Sequence, residues 1–147
     1  MIEQRFHLDY WDWDIIVLYD VTVSDAPYVL SLLRDAGCGH MRDSMDNLLS
    51  GRMNTGLTNT NPRDGITVIV LGRTTSPAQF YNSIEHERGH AVEHIAWALD
   101  IPYSGEEIQY LRGEISQRMY PVAVKFLCRE CFAESVRDDY PPAHLRR

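Results

Sequence analysis

Three histidines spaced four residues apart stand in the stretch "IEHERGHAVEH", residues 84 to 94. The first two, His86 and His90, form the pattern H-E-x-x-H together with Glu87. On an α-helix, positions i and i+4 lie one turn apart on the same face, so both imidazoles can bind one metal ion. Glu87 is angled away from that ion but can reach a water molecule beside it and act as general base. The spacing therefore predicts a zinc site with a catalytic glutamate.

Chance is a poor explanation for this pattern. With 6 histidines in 147 residues, the composition gives about 0.015 expected matches to H-E-x-x-H. The alternative is a solvated helix face that carries two satisfied histidines. A catalytic zinc normally has three protein ligands and an open position for water, so the motif needs a third ligand from elsewhere in the chain.

Two residues compete for the third position. His94 continues the series, but each four-residue step rotates about 40° and rises about 6 Å, so a straight helix cannot bring three rings to one ion. Glu106 opens the next predicted helix, and a helix hairpin across "DIPYS" would bring it back toward the histidines. Ser104 and Glu107 have the spacing of a capping box, which leaves Glu106 free to bind metal. An acid in a first turn also favours the helix dipole without any metal.

The elements before the motif are predicted from residue type and turn signals. Residues 14 to 22 and 66 to 72 are dense in β-branched residues, which predicts two strands, and a short strand is expected within "QRFHLDY". The stretch "SDAPYVLSLLRDAGCG" predicts a helix of about three turns. A second helix is expected over residues 40–51. The polar residues 52–65 are predicted to form a loop.

The motif itself is predicted to lie on a long helix from Pro77 to about Leu99, capped by Ser76 with Gln79 in the capping-box position. The next helix should begin at Ser104 and end or kink near Met119 because of Pro121. A last helix is expected over residues 121–136. Residues 137–147 are expected to be a frayed tail.

The motif and its surroundings resemble a known family. "HERGH", a gap and then "EEIQYL" are similar to the gluzincin type of metallopeptidase, in which a glutamate on a following helix completes the zinc site. They are closer still to small zincin-like proteins of phages and integrated mobile elements, which read H-E-x-x-H, a short gap and E-x-x-A-Y-L. Aligned on Tyr110 and Leu111, the family glutamate falls on Glu106. The resemblance covers roughly residues 55–120 and is specific only in the two helices.

This resemblance implies an α+β zincin-like fold, with a small twisted β-sheet, an edge strand formed by "ITVIVLG" and an active-site helix followed by further helices. It implies Zn²⁺ bound by His86, His90 and Glu106, with Glu87 as general base of a metallopeptidase. In zincins the edge strand binds the substrate peptide as an added strand. Further candidate residues are Tyr110, which stands where the family has Asp or Asn, as a hydrogen-bond partner of a metal ligand, and His94, Tyr103 or Tyr120 as oxyanion donors.

The composition limits the classes of partner and the cellular location that we expect. A net charge of −7 argues against a nucleic-acid partner, which needs a basic face. No leader-like segment or apolar run long enough for a bilayer is present, so we expect one cytoplasmic domain over residues 1–147 and no membrane partner. Cys38, Cys128 and Cys131 are an odd set, which favours free thiols. A protein or peptide substrate is expected; the alternative is a catalytically silent zinc-binding interaction protein of phage or mobile-element origin.

Overall fold

The structure is a computed structural model that describes residues 1–39 and 56–128. It contains four strands, three α-helices and one 3-10 turn within those ranges. In chain order these are β1 (Ile2–Leu8), β2 (Trp13–Val21), the 3-10 turn (Val23–Asp25), α1 (Ala26–Asp35), β3 (Gly56–Asn61), β4 (Ile66–Gly72), α2 (Pro77–Ala98) and α3 (Glu106–Leu127).

The strands form one mixed sheet in the order β1-β2-β4-β3. β2 and β4 are parallel, whereas β1 pairs with β2 and β3 pairs with β4 in antiparallel fashion. Alternate residues of a strand point to opposite faces, and here both faces are buried. Ile15 and Ile69 lie in the core beneath α2 and α3, whereas Ile16 and Val68 lie in the core beneath α1. The predicted α+β class is confirmed at this level, as a four-stranded sheet with helices on both faces.

The prediction that "ITVIVLG" is the edge strand is wrong. β4 lies between β2 and β3, and residues 67–71 are all buried. A continuous run of β-branched residues is typical of a strand that is buried on both faces of the sheet. Such a strand is expected inside the sheet rather than at its edge. Among the described strands, the edge beside β4 is β3, within the segment predicted to be a loop. Its Thr and Asn side chains are typical of a loop, but its backbone pairs with β4 from Gly56 to Asn61.

Gly56 is required where β3 begins. Its φ is 153°, and a Cβ atom at this position would lie 1.9 Å from the carbonyl oxygen of Val70. Any larger residue would therefore push β3 away from β4. The glycine allows the edge strand to pair closely with β4 at the end that covers the motif helix.

The boundaries of α2 agree with the prediction. Ser76 is the N-cap, and its Oγ accepts a hydrogen bond from the backbone N–H of Gln79 at 3.2 Å; Pro77 occupies the first helical position. The Gln79 side chain instead accepts from the backbone N–H of Thr75 at 3.0 Å, so the reciprocal half of the capping box is shifted by one residue. The apolar residues spaced along the helix are buried in the core, apart from Leu99, which is exposed; the buried ones are Phe80, Ile84, Ala91 and Ile95.

The start and end of α3 differ from the prediction. The N-cap is Gly105, with a φ of 100°, rather than Ser104, and no side chain caps the helix. Pro121 lies inside the helix, which continues to Leu127. The ring removes one backbone hydrogen bond, but Met119 and Phe126 on either side of it are buried in the same core. Packing on the sheet holds the two predicted helices together as one.

Several predictions fall outside the described ranges, namely the helix over residues 40–51, the end of the last helix, Cys131 and the tail. Of the other cysteines, Cys128 follows α3 directly, and burial raises the pKa of the Cys38 thiol to about 11. Cys38 is therefore a protonated core residue near neutral pH.

Among the helices of residues 1–39 and 56–128, none combines the length and the apolar character that a membrane span requires.

A buried hydrogen bond ties β2 to β4 below the motif helix. Trp13 is 2% exposed and its Nε1–H donates to Oγ1 of the fully buried Thr67 at 2.9 Å. Thr67→Val leaves this indole N–H without its acceptor, so we expect a loss of about 1–3 kcal/mol in the free energy of unfolding. Urea denaturation measures it. Thr75→Val, which removes an exposed hydroxyl, should change stability by less than about 0.5 kcal/mol; equal effects of the two variants would contradict this role of Thr67.

Candidate metal centre

His86 and His90 converge on the exposed flank of α2. Their Nε2 atoms are 3.1 Å apart, and the ring planes meet at 80°. Two nitrogens bound to one tetrahedral zinc at 2.0–2.1 Å are separated by about 3.3 Å. The pair therefore fits a shared ion without a change of helix geometry. Without metal, the same contact is a hydrogen bond in which one neutral ring donates to the other.

Glu87 lies between the two histidines in sequence but faces the sheet. It is 2% exposed, and Thr58 on β3 donates a hydrogen bond to its Oε2 at 2.6 Å. The Thr58 hydroxyl also lies 3.1 Å from the Glu87 carbonyl oxygen. A Cβ atom at Gly56 would approach the Glu87 side chain to 3.3 Å, so the start of β3 covers this carboxylate. The edge strand thus fixes the predicted general base in one orientation.

His94 is held by a chain of hydrogen bonds that begins in the core. Trp13 donates to Thr67, whose Oγ1 is 2.9 Å from Oγ1 of Thr60, and Thr60 in turn is 3.0 Å from Nδ1 of His94. The indole can only donate, so Thr67 accepts from Trp13. If Thr67 then donates to Thr60, the Thr60 hydroxyl donates to His94. This order makes Nδ1 of His94 an acceptor and places the proton of the neutral ring on Nε2. His94 can then offer an N–H donor in the cleft that it lines.

Burial lowers the pKa of His94, and the nearby His90 ring lowers it further, while Glu93 partly opposes both effects. The neutral ring is therefore favoured in the folded protein. A histidine with a depressed folded pKa destabilises the fold as pH falls through its unfolded value near 6.5 and then through the folded one.

This direction gives a testable pH dependence. His94→Gln is expected to reduce the loss of stability between pH 7 and pH 5, measured by urea denaturation in the presence of a chelator. His7→Gln is the opposite control, because hydrogen bonding to Asp14 raises the pKa of His7, and its removal should make the loss larger. If His94→Gln were as acid-sensitive as the parent protein, protonation of His94 would not be the cause.

Glu106 is not brought to the histidine pair. It lines a separate cleft of about 760 Å³ near the turn between β1 and β2, together with aromatic and acidic side chains. The predicted hairpin of α2 and α3 does form, but Arg88 points at α3 and donates to Ser116. Positions 86 and 90 are each 200° around the helix from position 88. The histidines therefore face away from the helix that carries Glu106, and its role as third ligand stays a prediction.

The predicted tyrosines are distributed over both clefts. Tyr103 lines the same cleft as His94, on the histidine side of α2. Tyr110 lies with Glu106 and Glu107 in the other cleft, so it is not beside the histidine pair. Tyr120 is exposed on α3. Of the proposed oxyanion donors, His94 has its ring centre 6.1 Å from that of His90, and Tyr103 lines the same cleft as His94.

Within residues 1–39 and 56–128, no group of three or more His, Cys, Asp or Glu side chains is arranged to hold a metal ion. The donor set is thus two imidazoles, which suit zinc as well as other late transition metals. Glu93 lies near the pair, with Oε2 4.0 Å from Nδ1 of His90. That distance is beyond a hydrogen bond but within reach of an electrostatic influence on the ring.

Two residues that matter to this site were missed in the sequence. Thr58 and Thr60 bond to Glu87 and His94 respectively, and both point to the α2 side of β3. The alternation in "LTNTN" was the available signal, because every second residue of a strand shares a face. No protein-family model, no curated protein and no solved structure matches the chain. Function therefore has to be inferred from the chain's own residues.

Proposed function

We propose that this chain is a zinc-dependent hydrolase that acts on peptides. The observation that carries the proposal is the approach of the His86 and His90 Nε2 atoms to 3.1 Å on an exposed helix flank, next to a carboxylate held by the edge strand. These two residues would hold the metal; Glu106, the third ligand predicted from the sequence, lines the other cleft and would have to move to complete the site. When bound, zinc would polarise the scissile carbonyl and lower the pKa of a coordinated water.

Glu87 would supply the proton transfer. The hydrogen bond from Thr58 occupies Oε2 and orients the carboxylate, which leaves Oε1 to accept a proton from the attacking water. A positioned carboxylate can act as general base and then return the proton to the leaving amine. With its proton on Nε2, His94 would donate to a developing oxyanion.

A peptide substrate is supported by the position of β3. This strand lies beside α2 and is the outer neighbour of β4 among the described strands. An edge strand presents unpaired N–H and C=O groups, and an extended peptide can add to it as a further strand. In this proposal the substrate strand would add to β3, in place of the β4 segment predicted from the sequence.

A second function is favoured by one feature of the same site. Glu87 is 2% exposed, and only two ligands converge within the described residues. A zinc-binding interaction protein needs a metal that organises a surface, but it does not need an accessible base. In that case the histidine pair would bind metal and no substrate would be turned over.

Hydrolysis of a mixed fluorogenic peptide library separates the two functions. The protein would be freed of metal, then assayed with and without added zinc. Cleavage that requires zinc and is lost with a chelator supports the hydrolase. Zinc binding without cleavage of any library member supports the interaction protein. If the protein neither binds zinc nor cleaves a peptide, both functions are refuted.

A further inference from the structure

A cleft of about 380 Å³ lies along the C-terminal half of α2 and is lined by His94, the neighbour of His90 one turn away. Asn59 and Thr60 of β3, with Pro62 just after the strand, form one side, and Glu93, His94 and Trp97 form the helix side. Tyr103, from the connection between α2 and α3, completes it. The volume is at the small end of the range for ligand sites, which is enough room for one long side chain.

The side chains of this cleft favour a cation. Trp97 and Tyr103 are 73% and 62% exposed, so their rings are open to a guest in the cleft. Aromatic ring faces attract ammonium and guanidinium groups. Glu93 adds a carboxylate at the same place, and no lysine or arginine is among the described residues that line the cleft. An apolar guest would use the rings but not the charge of Glu93.

The position of the cleft relates it to the proposed reaction. The ring centres of His90 and His94 are 6.1 Å apart, and an extended peptide advances about 3.3 Å per residue. If the cleaved bond of an extended peptide lies at His86 and His90, the cleft therefore lies about two peptide residues away from that bond. Residues two apart on an extended strand share a face, so one side chain of a peptide added to β3 would point into the cleft.

We propose that this cleft selects a lysine or arginine side chain about two residues from the cleaved bond of an extended peptide, an inference that rests on the proposed hydrolase function. The chemical basis is an ion pair with Glu93 combined with contact to the rings of Trp97 and Tyr103. The net charge of −7 further favours a basic substrate through long-range attraction.

The test uses four peptides that differ at one position, which is Lys, Arg, norleucine or Glu. With zinc-loaded protein, kcat/KM for the Lys and Arg peptides is expected to exceed that for norleucine by at least about tenfold, with Glu the poorest. In Glu93→Lys the order should invert in favour of the Glu peptide. The ratio between peptides is the readout, because it cancels any effect of the substitution on the neighbouring His90. Equal kcat/KM for all four peptides would overturn the inference.

The same peptides distinguish a failure of the cleft from a failure of the hydrolase. If none is cleaved, their binding to the zinc-loaded protein is measured by isothermal titration calorimetry. Tighter binding of the Lys and Arg peptides, with the order inverted in Glu93→Lys, would support the selectivity of the cleft and refute only the hydrolase function. Equal binding, or no binding of any peptide, would overturn the proposed selectivity as well.

Discussion

Alanine at both His86 and His90 is expected to abolish zinc binding. The two Nε2 atoms are 3.1 Å apart, so together they form the only convergent pair of imidazoles among the described residues. Loss of outer-sphere partners alone weakens metal sites by roughly 10–100-fold, and loss of both imidazole ligands should exceed that. Competition with a chromophoric chelator measures the zinc affinity of the parent and variant proteins.

The chain offers matched controls for this result. His94→Ala removes a histidine of the same helix that bonds to Thr60 rather than to the pair, and one zinc per chain should remain. Glu106→Gln separates the sequence-based ligand set from the observed geometry. Retained affinity would agree with the position of Glu106 in the other cleft, whereas a loss would mean that α3 rearranges around the metal. If the double histidine variant kept its zinc, the H-E-x-x-H stretch would not be the metal site.

Glu87→Gln is expected to keep the metal and lose turnover. Glutamine has the same shape, and its carbonyl oxygen can still accept the hydrogen bond from Thr58, so the packing under β3 should be preserved. It cannot accept the proton from water, and removal of a general base costs on the order of 10²–10⁴-fold in rate. The measurement is kcat on any peptide that the zinc-loaded parent cleaves, together with zinc content.

Glu85→Gln is the control for this variant. Glu85 lies on the same helix two residues earlier but pairs with Arg88, away from the face of Glu87. Its substitution should leave kcat within about twofold, because its carboxylate pairs with Arg88 rather than with Glu87 or the histidine pair. Full activity in Glu87→Gln, with zinc bound, would remove Glu87 from the mechanism.

Local signals were sufficient to predict most of the elements. β4 was predicted with its observed bounds because a short β-branched run that ends in glycine has few alternatives. The Ser-Pro start placed α2 correctly, since both residues act through local hydrogen bonding and backbone geometry. These signals depend on neighbours in sequence, which is why they could be interpreted without a structure.

The arrangement in three dimensions could not be predicted in the same way. Which strand lies at the edge depends on pairing between distant segments, and the polar residues of β3 resembled a loop. The position of Glu106 depends on the flank of α2 against which α3 packs. That flank is set by tertiary contacts such as the one between Arg88 and Ser116, whereas the sequence specifies only that a hairpin forms.

The metal content of the protein purified without a histidine tag tests the central claim most directly. Elemental mass spectrometry after exposure to zinc and removal of the excess is predicted to find about one zinc per chain, as expected for a single two-histidine centre with its remaining ligands. No bound zinc under these conditions would contradict the account, because the histidine pair would then be only a hydrogen-bonded surface of α2.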